Sequence, residues 1–322
     1  MVGTRDIADL LDRAERAGSK VVLVGDPKQL PEITAGGLLS HLDTHHHAIT
    51  LTENRRQHDP TERVALTELR TGDVDQAFAL LKEHGRVVSG DNADAVRDGM
   101  VADWWSHRQN GDDVLMLARR NVDVDDLNRR ARQLMAADGR LSREAIVVGG
   151  RPFQCGDEIV CLRNDSRLGV LNGTTGTITD IDHVQRRVTI DTAGGNRRLD
   201  AAYLDAGHIR HGYAVTVHKA QGRTTGHSLL LGNDQLSRES GYVGLSRGRT
   251  SNRIYILDTR HDDDEIDRHG WPGEVKDPSN SLLDALRTST AKELAIDQAA
   301  VAPDVNSAAV APEIDDGIDI GW

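Results

Sequence analysis

Short runs of β-branched and aliphatic residues alternate with helical stretches along most of this chain, and that alternation limits its fold more than any other feature. Seven runs read as strands or strand ends: "VVLV" (21–24), "AITLTENRRQ" (48–57), "RVVSG" (86–90), "DVLMLA" (113–118), "YAVTVH" (213–218), "HSLLLG" (227–232) and "RIYIL" (253–257). Residues 5–17, "RDIADLLDRAERA", space apolar side chains for a helix, with Gly18 where a C-cap belongs. Residues 60–84 read as helices separated by Thr71-Gly72-Asp73, and 91–108 and 121–137 as two more. Strands interleaved with helices predict an α/β fold layered on a mostly parallel sheet. Residues 151–204 break the rhythm. There "DEIVCLRND", "GTTGTITDID", "RRVTIDTAGG" and "NRRLDA" follow one another with turns and no helix, which predicts a small β-barrel or sandwich set into the α/β sequence.

Charge divides the chain further. From His261 to Trp322 there are 15 acidic and 4 basic residues, so −11 of the net −12 belongs to that stretch and the preceding 260 residues are nearly neutral. An acidic total therefore does not argue against nucleic-acid binding by the body. The acidic stretch is expected to be disordered with one transient helix. No apolar run reaches the roughly 18 residues of a membrane span, no signal peptide is visible, and a cytoplasmic protein without a membrane partner is expected. Cys155 and Cys161 match no zinc spacing and are expected to be reduced thiols. No protein metal ligands stand out.

Four stretches carry chemistry: "VGDPKQLPEI" (24–33), "LTENRRQ" (51–57), "YAVTVHKAQGRT" (213–224) and "YVGLSRGRT" (242–250). In the first, an apolar run ends in Asp26 and Gln29, polar groups at a sheet edge where a phosphate could be sensed. In the second, Arg55 and Arg56 stand where a loop could set one of them on a terminal phosphate. The third ends in His218-Lys219-Ala220-Gln221-Gly222, a turn whose amides and donor side chains suit a phosphate. The fourth offers Arg247 and Arg249 after a helical segment, and a guanidinium reaching a transferring phosphoryl group is an arginine finger. Singly, each has a plainer reading: Asp26 or Gln29 as turn residues, Arg55 and Arg56 as a solvated pair, His218 as a packed sheet residue. The order of all four is what gives them weight.

That order, with these spellings, resembles a superfamily 1 DNA helicase. It is most similar to the RecD-like branch that includes the helicase half of conjugative relaxases of the TraI/TrwC type. "GDPKQL" resembles motif III, "LTENRRQ" motif IV, "TVHKAQG" motif V and "YVGLSRGR" motif VI, over roughly residues 1–260. The resemblance implies a truncated first RecA-like domain (1–47), a second RecA-like domain (48–150 and 205–260), an SH3-like insert (151–204) and an acidic tail (261–322). It also implies ATP and Mg2+ as cofactors of the complete motor and single-stranded DNA as its track. Residue by residue, Gln29, Arg56 and Arg247 would be catalytic. Asp26, Gln29, Arg55, Arg56, Gln221, Gly222 and Arg247 would line the nucleotide, and Thr216, His218, Lys219 and Thr175 would face DNA.

One part of the pattern is missing. A phosphate cradle of the form Gly-x-x-x-x-Gly-Lys-[Ser/Thr] needs a Gly-Lys pair, and no glycine here is followed by lysine. The acidic pair that holds Mg2+ is missing too. The chain is therefore expected to be the C-terminal part of such a helicase, to bind ATP tightly nowhere by itself, and to be inactive unless a separate chain supplies the cradle. The alternative is a non-enzymatic single-stranded DNA-binding module.

Overall fold

The computed structural model describes residues 2–32, 36–46, 48–51, 53–257, 277–292 and 294. The chain divides into two compact units, one built from the described parts of Met1–Pro27, Glu32–Ile49 and Lys292–Trp322, the other from Lys28–Pro31 and Thr50–Ala291.

In the first unit, α1 (Thr4–Arg16) buries Ile7, and Gly18 behind it takes φ +60°, the left-handed turn expected after a helix end. α2 (Leu38–His45) follows. The strand expected at 21–24 does not form: these residues are irregular, with Val22 71% and Val24 90% exposed. A strand is completed by hydrogen-bonding neighbours, and no described segment pairs with this one. Residues 48–51 and 53–57 are likewise irregular, which corrects the strand expected there.

The second unit runs α3 (Pro60–Thr71), α4 (Val74–Glu83), β1 (Val87–Val88), α5 (Ala93–Gln109), β2 (Val114–Ala118) and α6 (Asn121–Ala137). A β-rich body comes next: β3 (Ala145–Val148), β4 (Arg151–Gln154), β5 (Glu158–Cys161), β6 (Thr175–Asp182), β7 (Arg187–Thr192), β8 (Gly195–Leu199), the short α7 (Ala201–Asp205) and β9 (Ile209–His211). Then follow β10 (Ala214–Thr216), α8 (Val217–Ala220), β11 (Thr225–Gly232), α9 (Arg238–Leu245), β12 (Gly248–Ile256) and α10 (Pro278–Arg287).

The parallel sheet has the order β1-β12-β11-β2-β10. Its strands are apolar on both faces because helices cover both. Leu115 and Leu117 of β2, Leu230 of β11 and Ile254 of β12 pack with α3, α4, α9 and α10. Their sequence neighbours Met116, Leu229 and Tyr255 point the other way, onto Met100 and Trp104 of α5 and Leu127 of α6. Leu30 joins the first of these two cores, which ties the Lys28–Pro31 turn to this unit.

The β-rich body is antiparallel, β8-β7-β6-β5-β9, with β3-β4 as a hairpin, and all of it closes on one core around Phe153, Ile159, Val188 and Leu199. Its strands begin before residue 151 and end after 204, and α7 interrupts a stretch expected to hold no helix. Cys155 and Cys161 are free thiols, and burial raises the pKa of both. Within the stretch expected to be disordered with one transient helix, residues 278–287 form the capped helix α10, which is docked rather than transient, with Leu282 and Leu286 buried in the first core. Two leucines four residues apart supply the apolar stripe that docks it. The rest of that stretch lies outside the described residues, apart from 277, 288–292 and 294.

His211 of β9 is buried against Phe153, with ring centroids 4.4 Å apart, and donates from Nε2 to the Pro152 carbonyl at 3.0 Å. Burial depresses its pKa, Arg132 and Arg151 push the same way, and Asp157 opposes them. A histidine whose folded pKa is depressed takes up its proton more readily in the unfolded chain. Its contribution is thus complete above the unfolded histidine range, near pH 6.5, and is lost as pH falls through it. The melting temperature is expected to drop between pH 7.5 and 5.5, and His211→Gln should flatten that drop in a pH series of thermal melts.

Candidate functional site

Parts of all four chemistry-bearing stretches meet in the second unit. β10 gives way to α8 at Thr216, whose Oγ1 accepts the Lys219 amide at 3.4 Å as an N-cap. His218 and Lys219 are half-buried on this turn. Burial lowers the pKa of both, reinforced by Arg119 for His218 and by Arg210 for Lys219, while Asp125 opposes the Lys219 shift. Gly222 takes φ +83°, a conformation that few other residues adopt, and it lets the chain leave α8 towards β11. Between them, Gln221 donates from Nε2 to Oε1 of Gln29 through a long 3.5 Å hydrogen bond. Its own Oε1 is buried with no partner. Leu30, inserted in the core beside Gln29, is what brings the Lys28–Pro31 turn to this point.

The "LTENRRQ" stretch grips the turn between α9 and β12. Arg56 donates from Nη1 to the Ser246 carbonyl at 2.9 Å. The buried Gln57 donates from Nε2 to the carbonyls of Ser246 (3.1 Å) and Gly248 (2.8 Å). Arg247, between those two, is only 1% exposed. Its Nε donates to the Val243 carbonyl at 2.8 Å, Nη1 to the Arg223 carbonyl at 3.2 Å and Nη2 to Ser246 Oγ at 2.7 Å. Gly248 has to be glycine here, since an added Cβ would stand 2.2 Å from the Ser251 carbonyl oxygen.

Not every expected residue joins this cluster. Arg55 is exposed and paired with Glu53 at 2.7 Å, and Asp26 belongs to the other compact unit. Thr175 lies on β6, where its Oγ1 accepts from Arg223 Nη2 at 3.2 Å. That contact sits in a cleft of about 270 Å3 between the parallel sheet and the β-rich body, lined also by Arg108, Asp113 and Glu158. Burial raises the Glu158 carboxyl pKa against the pull of the Arg108 guanidinium paired with it. Burial likewise lowers that of Arg223, opposed by Asp113 and Glu158.

Gln57 was not anticipated. It ends the same "LTENRRQ" stretch as Arg56, but its partners lie 189 and 191 residues away and leave no local signal. In chemical terms, Arg247 and Gln57 are committed to carbonyls and Arg247 is shut off from solvent. The side chains around this turn therefore do not make a phosphate cradle by themselves; they make a braced loop beside one polar junction, Gln29–Gln221.

A family model described as an AAA domain matches residues 1–92. The conjugal transfer protein TraA of Agrobacterium fabrum is 33% identical over 79% of the chain, and the RecBCD enzyme subunit RecD of Mycolicibacterium smegmatis is 28% identical over 79% of it. The chain spans 24% of that TraA and 48% of that RecD. Among solved structures, two coordinating Pif1 helicases at forked double-stranded DNA match with a TM-score of 0.50 at 19% identity, covering 80% of this chain and 67% of that one.

Proposed function

The chain is a superfamily 1 helicase-like protein, and from that premise we propose that it is the C-terminal portion of an ATP-dependent DNA helicase that moves along single-stranded DNA. The observation that carries this reading is the convergence of Gln29, Arg56, Gln57, Gln221 and the Arg247 turn from four separate stretches into one cluster. Residues 48–150 and 205–260 would be the second RecA-like domain and the β-rich body its SH3-like insert. The part from residue 1 to 47 would belong to the first RecA-like domain.

When bound, Mg2+ and ATP would supply the phosphoryl-transfer chemistry that drives movement. This chain's own residues would transmit it. Gln221 caps the end of α8 two residues after Lys219 and three after His218, so a shift at Gln29 would be felt at groups able to hold a DNA phosphate. Arg56 and Arg247 would set the geometry of the turn that faces the nucleotide, and Gly222 the exit of the chain from the Lys219 turn. Thr216 and Thr175 would add polar contacts to the strand.

Since the sequence contains no Gly-Lys pair, the purified chain is expected to show no ATP hydrolysis above background, with or without single-stranded DNA. Turnover by this chain alone would overturn that part. Fluorescence anisotropy with labelled single-stranded DNA tests the rest. Binding should fall steeply between 50 and 200 mM salt, and Lys219→Ala should weaken it about 5- to 10-fold while reducing the salt slope by about one. No detectable binding at low salt would remove the DNA-bound reading.

A further inference from the structure

We propose that His107, Asp112 and His227 form a binding site for a divalent transition metal of the Zn2+ class, with three protein ligands and a fourth position left to solvent. His107 lies in the last turn of α5, Asp112 in the loop that leads to β2, and His227 in β11. Nδ1 of His107 is 2.8 Å and Nε2 of His227 is 3.7 Å from Oδ2 of Asp112. One ligand atom from each of the three lies within 4.8 Å of the others. Ligand atoms of a tetrahedral zinc site with bonds of roughly 2.0–2.1 Å are about 3.3 Å apart, and the two contacts to Asp112 fall on either side of that spacing.

A second feature points the same way. Nδ1 of His227 is 2.7 Å from Ser251 Oγ on the adjacent β12. With Nδ1–H donated to that hydroxyl, the lone pair of His227 sits on Nε2, the nitrogen that faces Asp112. Such an outer hydrogen bond is the usual means by which a metal-binding imidazole is held in one tautomer and one orientation. The two imidazole rings lie against each other, centroids 4.0 Å apart and planes tilted by 27°, so their positions are mutually fixed. Of the nearby cations, Arg253 pairs with Asp103 at 2.8 Å, and Arg86 with Asp59 and Glu62, which offsets their charge at the site. Two imidazoles and one carboxylate suit zinc, and the same set accepts copper or nickel.

The test has to separate this site from a second histidine pair. His41 and His45 of α2 are stacked at 4.3 Å and could bind metal on their own account. Isothermal titration of Zn2+ into the full chain carrying His41→Ala and His45→Ala should give one saturable 1:1 site. In that background Asp112→Asn and His227→Gln should each weaken binding more than tenfold. Ser251→Ala, which removes no ligand, should weaken it about tenfold. Thermal melts without metal show whether each variant folds, and the Zn2+-induced rise in melting temperature should disappear with Asp112→Asn. If the double histidine variant has no saturable site, or if Asp112→Asn binds as well as its parent, the three residues form a hydrogen-bonded cluster and the proposal is wrong.

Discussion

Replacing Asp157 with alanine is expected to lower the unfolding free energy by about 3–5 kcal/mol, read as a shift of the urea midpoint, because it breaks one buried ionic hub. The carboxylate is fully buried. Oδ1 accepts from the Tyr213 hydroxyl at 2.6 Å, Oδ2 from the Gln154 amide at 2.7 Å, and both oxygens from Arg132 Nε at 3.1 and 3.2 Å. These partners come from the approach to the parallel sheet, from the β-rich body and from α6. The hub thus fastens the inserted body to the α/β layers. Alanine would leave a guanidinium, a phenol and an amide without their acceptor. Burial and the neighbouring Asp157 charge hold the Tyr213 pKa far above its ordinary value, so that phenol stays a donor at any working pH. Tyr213→Phe removes a single donor and leaves Asp157 its other partners; its cost should be only about 1–2 kcal/mol. If the two variants cost the same, Asp157 is not the junction this geometry makes it.

The contrast also marks which parts of the fold could be read in advance. "DVLMLA" was legible because its two-residue alternation is fixed by the strand itself, with Leu115 and Leu117 on one core and Met116 on the other. "VVLV" at 21–24 carries the same local signal and forms no strand, because pairing is decided by neighbours that a local pattern does not include. The β-rich body was visible in its turns, but its outer strands at 145–148 and 209–211 were not: the second takes its partner from β5, about fifty residues earlier, whereas the first folds back on its own neighbour across Gly149-Gly150, a turn signal that stood in the sequence. The helical spacing in "SLLDALRTSTAKELA" predicts one transient helix in the acidic stretch, and what the sequence does not show is that Leu282 and Leu286 dock it in a core built from residues far upstream. At the candidate site the four stretches stand out by spelling; Gln29 bonds to Gln221, and Arg56 reaches the Ser246 carbonyl beside Arg247. What holds them was not found. Gln57, Glu62 and Asn252 are ordinary polar residues locally, and their meaning lies in contacts about 190 residues away.

Glu62 is where that distant bracing is concentrated, and Glu62→Ala is expected to cost a further 3–5 kcal/mol or so in urea unfolding. The side chain is 2% exposed on α3. Its Oε1 accepts the Asn252 amide at 3.1 Å and its Oε2 the Asn252 side-chain amide at 2.7 Å, while Arg86 Nε lies 2.8 Å from Oε1. Asn252 in turn accepts the Gly248 amide at 2.8 Å and so fixes the turn that carries Arg247. Removing the carboxylate strands two buried donors and one guanidinium, and it unpins that turn from the side opposite Gln57. Burial raises the Glu62 pKa despite the opposing hydrogen bonds from Asn252 and the charge of Arg86. A carboxyl with a raised folded pKa binds its proton better when folded. Its contribution is therefore complete below the unfolded carboxyl range and is lost as pH rises through the folded value. The penalty for Glu62→Ala should accordingly be larger at pH 5 than at pH 8, and an equal or reversed penalty would mean that burial does not dominate this group. The same substitution should weaken single-stranded DNA binding less than Lys219→Ala does, because it loosens the Arg247 turn and leaves the Lys219 turn in place.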